Sequence, residues 1–383
     1  MPSGLGAKLR RMNAASPAPP RPNRGGLLAL RHRHDLEPGL LALDSTALRR
    51  IGWTRGAFDV RRCLFMDTET TGLSHGAGTV AFLVGAGYVE GDAFVVEQFL
   101  MRDYADEPEQ LARLADLMDR FDCVCTFNGR TFDMPLLEAR FTMNRMRARW
   151  RDMEDLDLLP PSRRTWKLRL GSCRLSQLEE RVMGFSRVDD LPGRDVPQRY
   201  FDYLKTGDMD LLSDILRHNE QDIVTLGTLL VKLAEVYAAP LEIGNRLDAF
   251  SVGRALERQG EWQSARAVYR LSAVPAPAGT LDALRQQRVA GLANWHIYHI
   301  ERRNGNVQAM LDVLNTMLAR EQMTGKVLIE LAKYYEHRAG KPSRAVEYAV
   351  RARAYTQDEE EAAQLDRRIE RLQRKIALQK GGN

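Results

Sequence analysis

No stretch of the chain is apolar over the roughly 20 residues that a membrane-spanning helix needs. The N-terminus also lacks the apolar core of a secretory signal, and both absences lead us to expect a soluble, cytoplasmic protein with no membrane partner. Cysteine is scarce. Cys63, Cys123, Cys125 and Cys173 are the four, and with neither a C-x-x-C pair nor a dense framework they read as reduced thiols rather than a disulfide scaffold or a metal knuckle. Acids are missing altogether from Met1 to His34, a segment with several arginines and the proline-rich run from Ser16 to Gly26. Such a composition buries too little apolar surface to order itself. Residues 1–35 are therefore expected to be a flexible basic arm, and three roles stay open for it: a solubilising tail, a tether to a polyanion, or an organellar transit peptide.

What is present is a chain of 383 residues, 44% hydrophobic, enough for more than one core. Lysine and arginine total 56 against 51 acids, a net charge of +5 that permits nucleic-acid binding without requiring it. Cys63–Met66, Thr79–Val89 and Ala93–Met101 read as three strands joined by short glycine-bearing links, the pattern of an antiparallel meander. Helical spacing over Glu107–Phe121, a buried-strand run at Cys123–Phe127, a helix over Asp133–Trp150, a short strand or turn at Leu156–Leu159 and a long helix over Leu211–Tyr237 follow. The fold class is thus α/β, a mixed sheet with helices packed on it, over residues 36–240. Residues 241–383 read as helices alone. Gly253, Leu256, Ala265 and Tyr269, nearly repeated by Ala332, Tyr335, Ala345 and Tyr348, suit tetratricopeptide-like hairpins, with a generic helical domain as the alternative.

Three segments concentrate polar chemistry at the ends of apolar runs. In CLFMDTETTG, Asp67 and Glu69 are two residues apart and so face one side of a strand. Like charges that close repel unless a cation sits between them, and an all-oxygen donor set suits Mg²⁺ or Mn²⁺ rather than zinc. In TFNGRTFDMP, Asp133 follows a strand and a loop, a position that equally suits a helix N-cap. In LRHNEQDIV, Asp222 falls on a stripe with Ile215, Leu226, Leu229 and Leu233, with His218 one turn earlier. A carboxylate on such a stripe needs a partner, which is either a cation site or an ion pair with some arginine.

Taken in order, DTETTG, NGRTFD and HNEQD resemble the three motifs of the DEDD exonucleases, on the ribonuclease-H-like fold. TFNGRTFDMPLLEAR, DLDLLPPSRRTWKLRL and HNEQDI look most like the YprB-like ribonuclease-H-like domain family. The resemblance runs from about Asp59 to Tyr237. It implies four metal-binding acids, Asp67, Glu69, Asp133 and Asp222, holding two Mg²⁺ or Mn²⁺ ions, with His218 orienting or deprotonating the attacking water. The four-residue step from His218 to Asp222 departs from the histidine-type branch, which has five, and matches the tyrosine-type branch.

The expected activity is hydrolysis of DNA or RNA from single-stranded 3′ ends by a two-metal mechanism. Thr70, Thr71, Gly72 and Leu73 would hold the terminal sugar and base, or simply form a tight turn. Asn128 and Phe132 would contact substrate or set the loop. Arg163, Arg164 and Lys167, interleaved with Trp166, carry the mix that pairs phosphates and stacks on bases, and equally that of a solvated amphipathic helix. Two other functions fit the same motifs: a structure-selective endonuclease, and a non-catalytic nucleic-acid scaffold recruiting a protein partner through the helical domain.

Overall fold

The computed structural model describes residues 25–54, 56–72, 78–147, 152–187, 191–274 and 283–381. Most of the expected basic arm (1–24), Leu73 and the last residues of the expected helix to Trp150 lie outside the described residues. The chain divides into two units. The first takes the described residues up to Leu43, Thr54–Pro160 and Arg174–Lys232; the second takes Asp44–Trp53, Pro161–Cys173 and Leu233 onward. The division is therefore interleaved in sequence rather than a single cut near residue 240, because short segments far from the C-terminus pack with the later helices.

The first unit is built on a six-stranded sheet: β1 (Leu28–Asp35), β2 (Cys63–Thr70), β3 (Ala81–Glu90), β4 (Ala93–Leu100), β5 (Cys123–Thr126) and β6 (Glu154–Asp157). Its order is β1-β4-β3-β2-β5-β6. The β2–β3–β4 meander is antiparallel, as expected, and β5 and β6 add parallel to the far side of β2. β1 corrects the reading of residues 28–35 as flexible: it pairs antiparallel with β4 from Leu28↔Leu100 to Asp35↔Ala93. Alternate residues of β1 are half-buried, the period of a strand with one covered face. His32 and His34 on that face reach Glu220.

Helices α2 (Glu107–Met118) and α3 (Asp133–Met143) cover one face of the sheet. There Leu64, Met66, Val84 and Tyr88 pack against Leu111, Leu114, Leu137 and Phe141. Preceding them is α1 (Ser45–Ile51), of the second unit, and α4 (Leu159–Leu170), α5 (Leu175–Leu178), α6 (Val196–Thr206) and α7 (Asp210–Ala238) follow. The other face carries α7, brought in by two glycines. A Cβ on Gly85 would stand 2.2 Å from Asn219 Oδ1, and one on Gly87 2.3 Å from Ile223 Cγ2. Only glycine admits a helix that close to the strand. With both faces covered, β3 is buried from Ala81 to Val89, which is why it reads as a continuous apolar run.

The second unit is helical, with α8 (Arg246–Arg258), α9 (Trp262–Ser272), α10 (Ala283–Arg303), α11 (Val307–Ala319), α12 (Thr324–His337), α13 (Pro342–Arg353) and α14 (Glu359–Gly381). Gly253 packs directly under the Tyr269 ring, and Tyr335 stacks on Tyr348 at 5.4 Å between ring centres. These are small-on-aromatic and aromatic-on-aromatic contacts at the positions the sequence pattern singles out. Among the described residues, no helix is long and apolar enough to cross a membrane.

Candidate active site

β2 is buried from Cys63 to Met66 and half-buried from Asp67 onward. The strand continues to Thr70, so Asp67 and Glu69 lie within it, on the face that α7 covers, with a register shift between Glu69 and Thr70. Asp67 stands opposite Gly85, and that glycine lets Asn219 reach across: its Nδ2 donates to Asp67 Oδ2 at 3.0 Å and to the Asp67 carbonyl at 3.3 Å. Asn219 Oδ1 in turn accepts from Gln98 Nε2 at 2.9 Å. Both amides are fully buried, and their hydrogen bonds fix the rotamer of Asp67, while Gln98 Oε1 has no hydrogen-bond partner among the described residues.

Asp133 arrives from the opposite face. Asn128, in the left-handed region at φ 69°, turns the chain after β5, a conformation asparagine tolerates better than most residues. Its amide donates to Asp157 Oδ1, and its carbonyl accepts from the amides of Thr131 and Phe132. Asn128 therefore sets the loop. Asp133 is the first residue of α3, Phe132 holds the cap position with no side-chain bond, and the carboxylate instead accepts from Thr68 Oγ1 at 2.5 Å. Capping does not account for this aspartate.

On α7 the fully buried stripe runs through Leu212, Ile215, Asn219, Ile223, Leu226 and Leu230. Asp222 shares the face of Ile215, Leu226, Leu229 and Leu233, each at most 1% exposed, with its own side chain 15% exposed. Arg187 closes this edge. Its guanidinium pairs with Glu179 at 2.6 and 2.8 Å, donates to Asp222, and lies 3.0 Å from His218 Nδ1. An arginine can only donate, so Nδ1 accepts and the neutral ring carries its proton on Nε2. That Nε2 lies 3.5 Å from Asp222 Oδ2 and 4.0 Å from Glu69 Oε1.

The acids feel one another. Burial, followed by the charges of Asp222, Asp133 and Glu69, holds the Asp67 carboxyl well above the usual range, against the Asn219 bond. Burial pushes Asp133 up to about 6 despite its bond from Thr68. Burial also raises Asp222, opposed by His218 and Arg187. Such mutual repulsion is what a cation relieves, and the donors are all oxygen, the chemistry of Mg²⁺ and Mn²⁺. Among the described residues, no three ligating side chains form a ready-made cage: Thr68 holds Asp133, Asn219 holds Asp67 and Arg187 holds Asp222. The donor set thus suits hard divalent ions chemically, with Arg187 now supplying positive charge at one corner.

Residues 64–234 match the family model RNase_H_2, of the RNase_H superfamily. The first unit is ribonuclease-H-like. Over 362 residues the chain is 29% identical to "Uncharacterized protein YprB" of Bacillus subtilis (strain 168), an alignment spanning 91% of this chain and 84% of that protein. The ribonuclease-H-like segment contains Asp67, Glu69, Asp133, His218 and Asp222, and it points to nuclease-type chemistry on nucleic acid.

The other expected site residues divide. Thr70 Oγ1 donates to the Gly72 carbonyl, and Thr71 Oγ1 accepts from the Val80 amide, so both hydroxyls secure the strand end. Phe132 is 47% exposed at the start of α3. Arg163, Arg164 and Lys167 fall in the second unit, on α4, with Trp166 buried beneath them at 3% exposure. Sequence reasoning missed Asn219, Gln98, Arg187 and Glu179. Asn219 sits inside HNEQD and could have been found by testing every polar residue of that motif against the helical stripe. Arg187 follows the short helical segment Glu179–Met183 and has no motif of its own.

Proposed function

We propose that the chain is a 3′–5′ exonuclease of the DEDD type, acting on DNA or RNA with Mg²⁺ or Mn²⁺. What supports this reading is that Asp67, Glu69, Asp133 and Asp222, on β2, α3 and α7, fall within the ribonuclease-H-like segment, and that the Asp67 carboxyl is raised by burial and then by the charges of Asp222, Asp133 and Glu69. These four acids would hold two divalent ions, which when bound supply an acidified water and counter-charge for the departing 3′ oxygen.

The protein's own groups do the rest. His218 takes the water proton at Nε2, which requires that nitrogen to be unprotonated; Arg187 on Nδ1 holds the opposite tautomer. Release of Arg187 therefore frees both the base and Asp222. A cavity of about 600 Å³ adjoins His218 and Asp222 and is lined by Arg174, Arg187 and Arg194, cations suited to phosphate. The backbone at Thr70, Thr71 and Gly72, with Leu73, would hold the terminal nucleotide, and exposed Phe132 would stack on a base. Helices α8–α14 would recruit a protein partner in the manner of tetratricopeptide arrays.

The Arg187–Asp222 pair favours a second reading, a nucleic-acid scaffold whose cation site stays closed. Incubation of 5′-labelled and 3′-labelled oligonucleotides with Mn²⁺ separates the readings. A progressive ladder from the 5′ label and immediate mononucleotide release from the 3′ label support exonuclease action. Internal fragments from both labels indicate an endonuclease, and intact strands with undiminished binding indicate the scaffold.

A further inference from the structure

The second unit bears an open cavity of about 760 Å³ with a basic wall. Three helices each contribute cations at one-turn spacing: Arg163, Arg164 and Lys167 from α4, Arg254 and Arg258 from α8, and Arg285 and Arg288 from α10. Side chains three or four apart on a helix share a face, so each pair is aimed into the same space. Among the described residues that line it, none is an acid. Three acids of the unit are paired with other residues: Asp248 with Arg169, Glu257 with His296 and Tyr269, Glu261 with Arg50.

Like charges at these spacings repel, and a bound polyanion relieves that repulsion. The cations are arginines but for Lys167, and the planar guanidinium matches phosphate oxygens two at a time. The Nη2 of Arg164 donates to the Ile51 carbonyl at 2.8 Å, while its Nε is buried with no hydrogen-bond partner among the described residues. Leu168, Phe250, Val289 and Leu292 give the cavity an apolar floor, which free phosphate would not use and an unstacked nucleobase would.

We infer that this cavity binds the phosphodiester backbone of a single nucleic-acid strand, with a base against the apolar floor. Its lining residues belong to the second unit and the carboxylates to the first, and its binding does not rest on their catalysis. The ligand class is single-stranded polynucleotide, and free phosphate, mononucleotide and acidic polypeptide serve as the competing probes.

The test is fluorescence anisotropy of a labelled single-stranded oligonucleotide titrated with the full chain in EDTA, where no divalent ion supports turnover. This keeps failure of the nuclease reading distinct from failure of the binding site. Arg254→Glu/Arg258→Glu is expected to weaken binding at least ~10-fold and to flatten the plot of log affinity against log salt by about 1.4, two phosphate contacts' worth. Should charge reversal unfold the unit by circular dichroism, Arg254→Gln/Arg258→Gln is expected to flatten the slope by a similar amount. Millimolar inorganic phosphate, a mononucleotide and polyglutamate are each expected to compete poorly. Unchanged affinity and slope in a folded variant would overturn the inference, as would displacement of the strand by phosphate, mononucleotide or polyglutamate at comparable charge concentration.

Discussion

Replacing Arg187 with methionine isolates what this residue does at the edge of the acid cluster. Glu179 is fully buried and takes both Nε and Nη2 of Arg187, with Thr225 Oγ1 donating at 2.5 Å. Removing the arginine leaves a buried carboxylate without its counter-ion, which costs about 3–5 kcal/mol. Replacing both members with apolar residues of similar size recovers most of that loss, because neither charge is then desolvated. Tryptophan fluorescence reports mainly the wrong place, since four of the five tryptophans, Trp53, Trp166, Trp262 and Trp295, belong to the second unit. Hydrogen exchange of peptides covering β2 and α7, in EDTA, reports the first unit. At about 1.4 kcal/mol per decade, the slowest amides there should exchange roughly 100–3,000 times faster in Arg187→Met. In Arg187→Met/Glu179→Met they should return to within about tenfold of wild type. The double variant should also bind Mn²⁺ more tightly than wild type, because Asp222 has lost its competing cation. A change of less than about threefold in the single variant, or a double variant as unprotected as the single one, would refute the reasoning.

Two further perturbations follow from the same geometry. Gly85→Ala puts a methyl group into Asn219, 2.2 Å from its Oδ1; it should cost about 1–3 kcal/mol in exchange protection of α7 and lower turnover, with Asn219→Ala in the same chain restoring protection. Asp133 titrates at about 6 in the folded protein against roughly 3.9 unfolded. Its contribution is therefore fully present below the unfolded value and is lost as pH rises through about 6. Denaturant midpoints of the first unit in EDTA should fall between about pH 4 and 7, and saturating Mn²⁺ should reverse the trend because the ion binds the charged acids. A flat profile with and without Mn²⁺ would count against the cluster.

The order of the β-meander, the later strands and the long helix was legible because alternation and helical spacing are local properties, read within one element at a time. The acids were legible for a related reason: a carboxylate at the end of an apolar run conflicts with its surroundings wherever the chain goes. What was not legible depends on partners far apart in sequence. β1 reads as part of a basic tail until β4 is there to pair with it and Glu220 is there to meet His32 and His34. Asn219 looks solvated until Gly85 opens the strand beneath it. Arg163, Arg164 and Lys167 read equally as a solvated face or a phosphate wall. Cations from α8 and α10 complete the wall, and neither helix bears any sequence pattern linking it to α4.

The central claim is that Asp67, Glu69, Asp133 and Asp222 act together on a phosphodiester. The most direct measurement is the rate at which purified protein shortens a 5′-labelled single strand in Mn²⁺, compared with Asp67→Asn and Asp222→Asn, each with wild-type circular dichroism and wild-type strand binding in EDTA. The account predicts a ladder of shortened strands with the wild type and a loss of more than about 100-fold in either variant. A ladder of undiminished rate in both variants would contradict it.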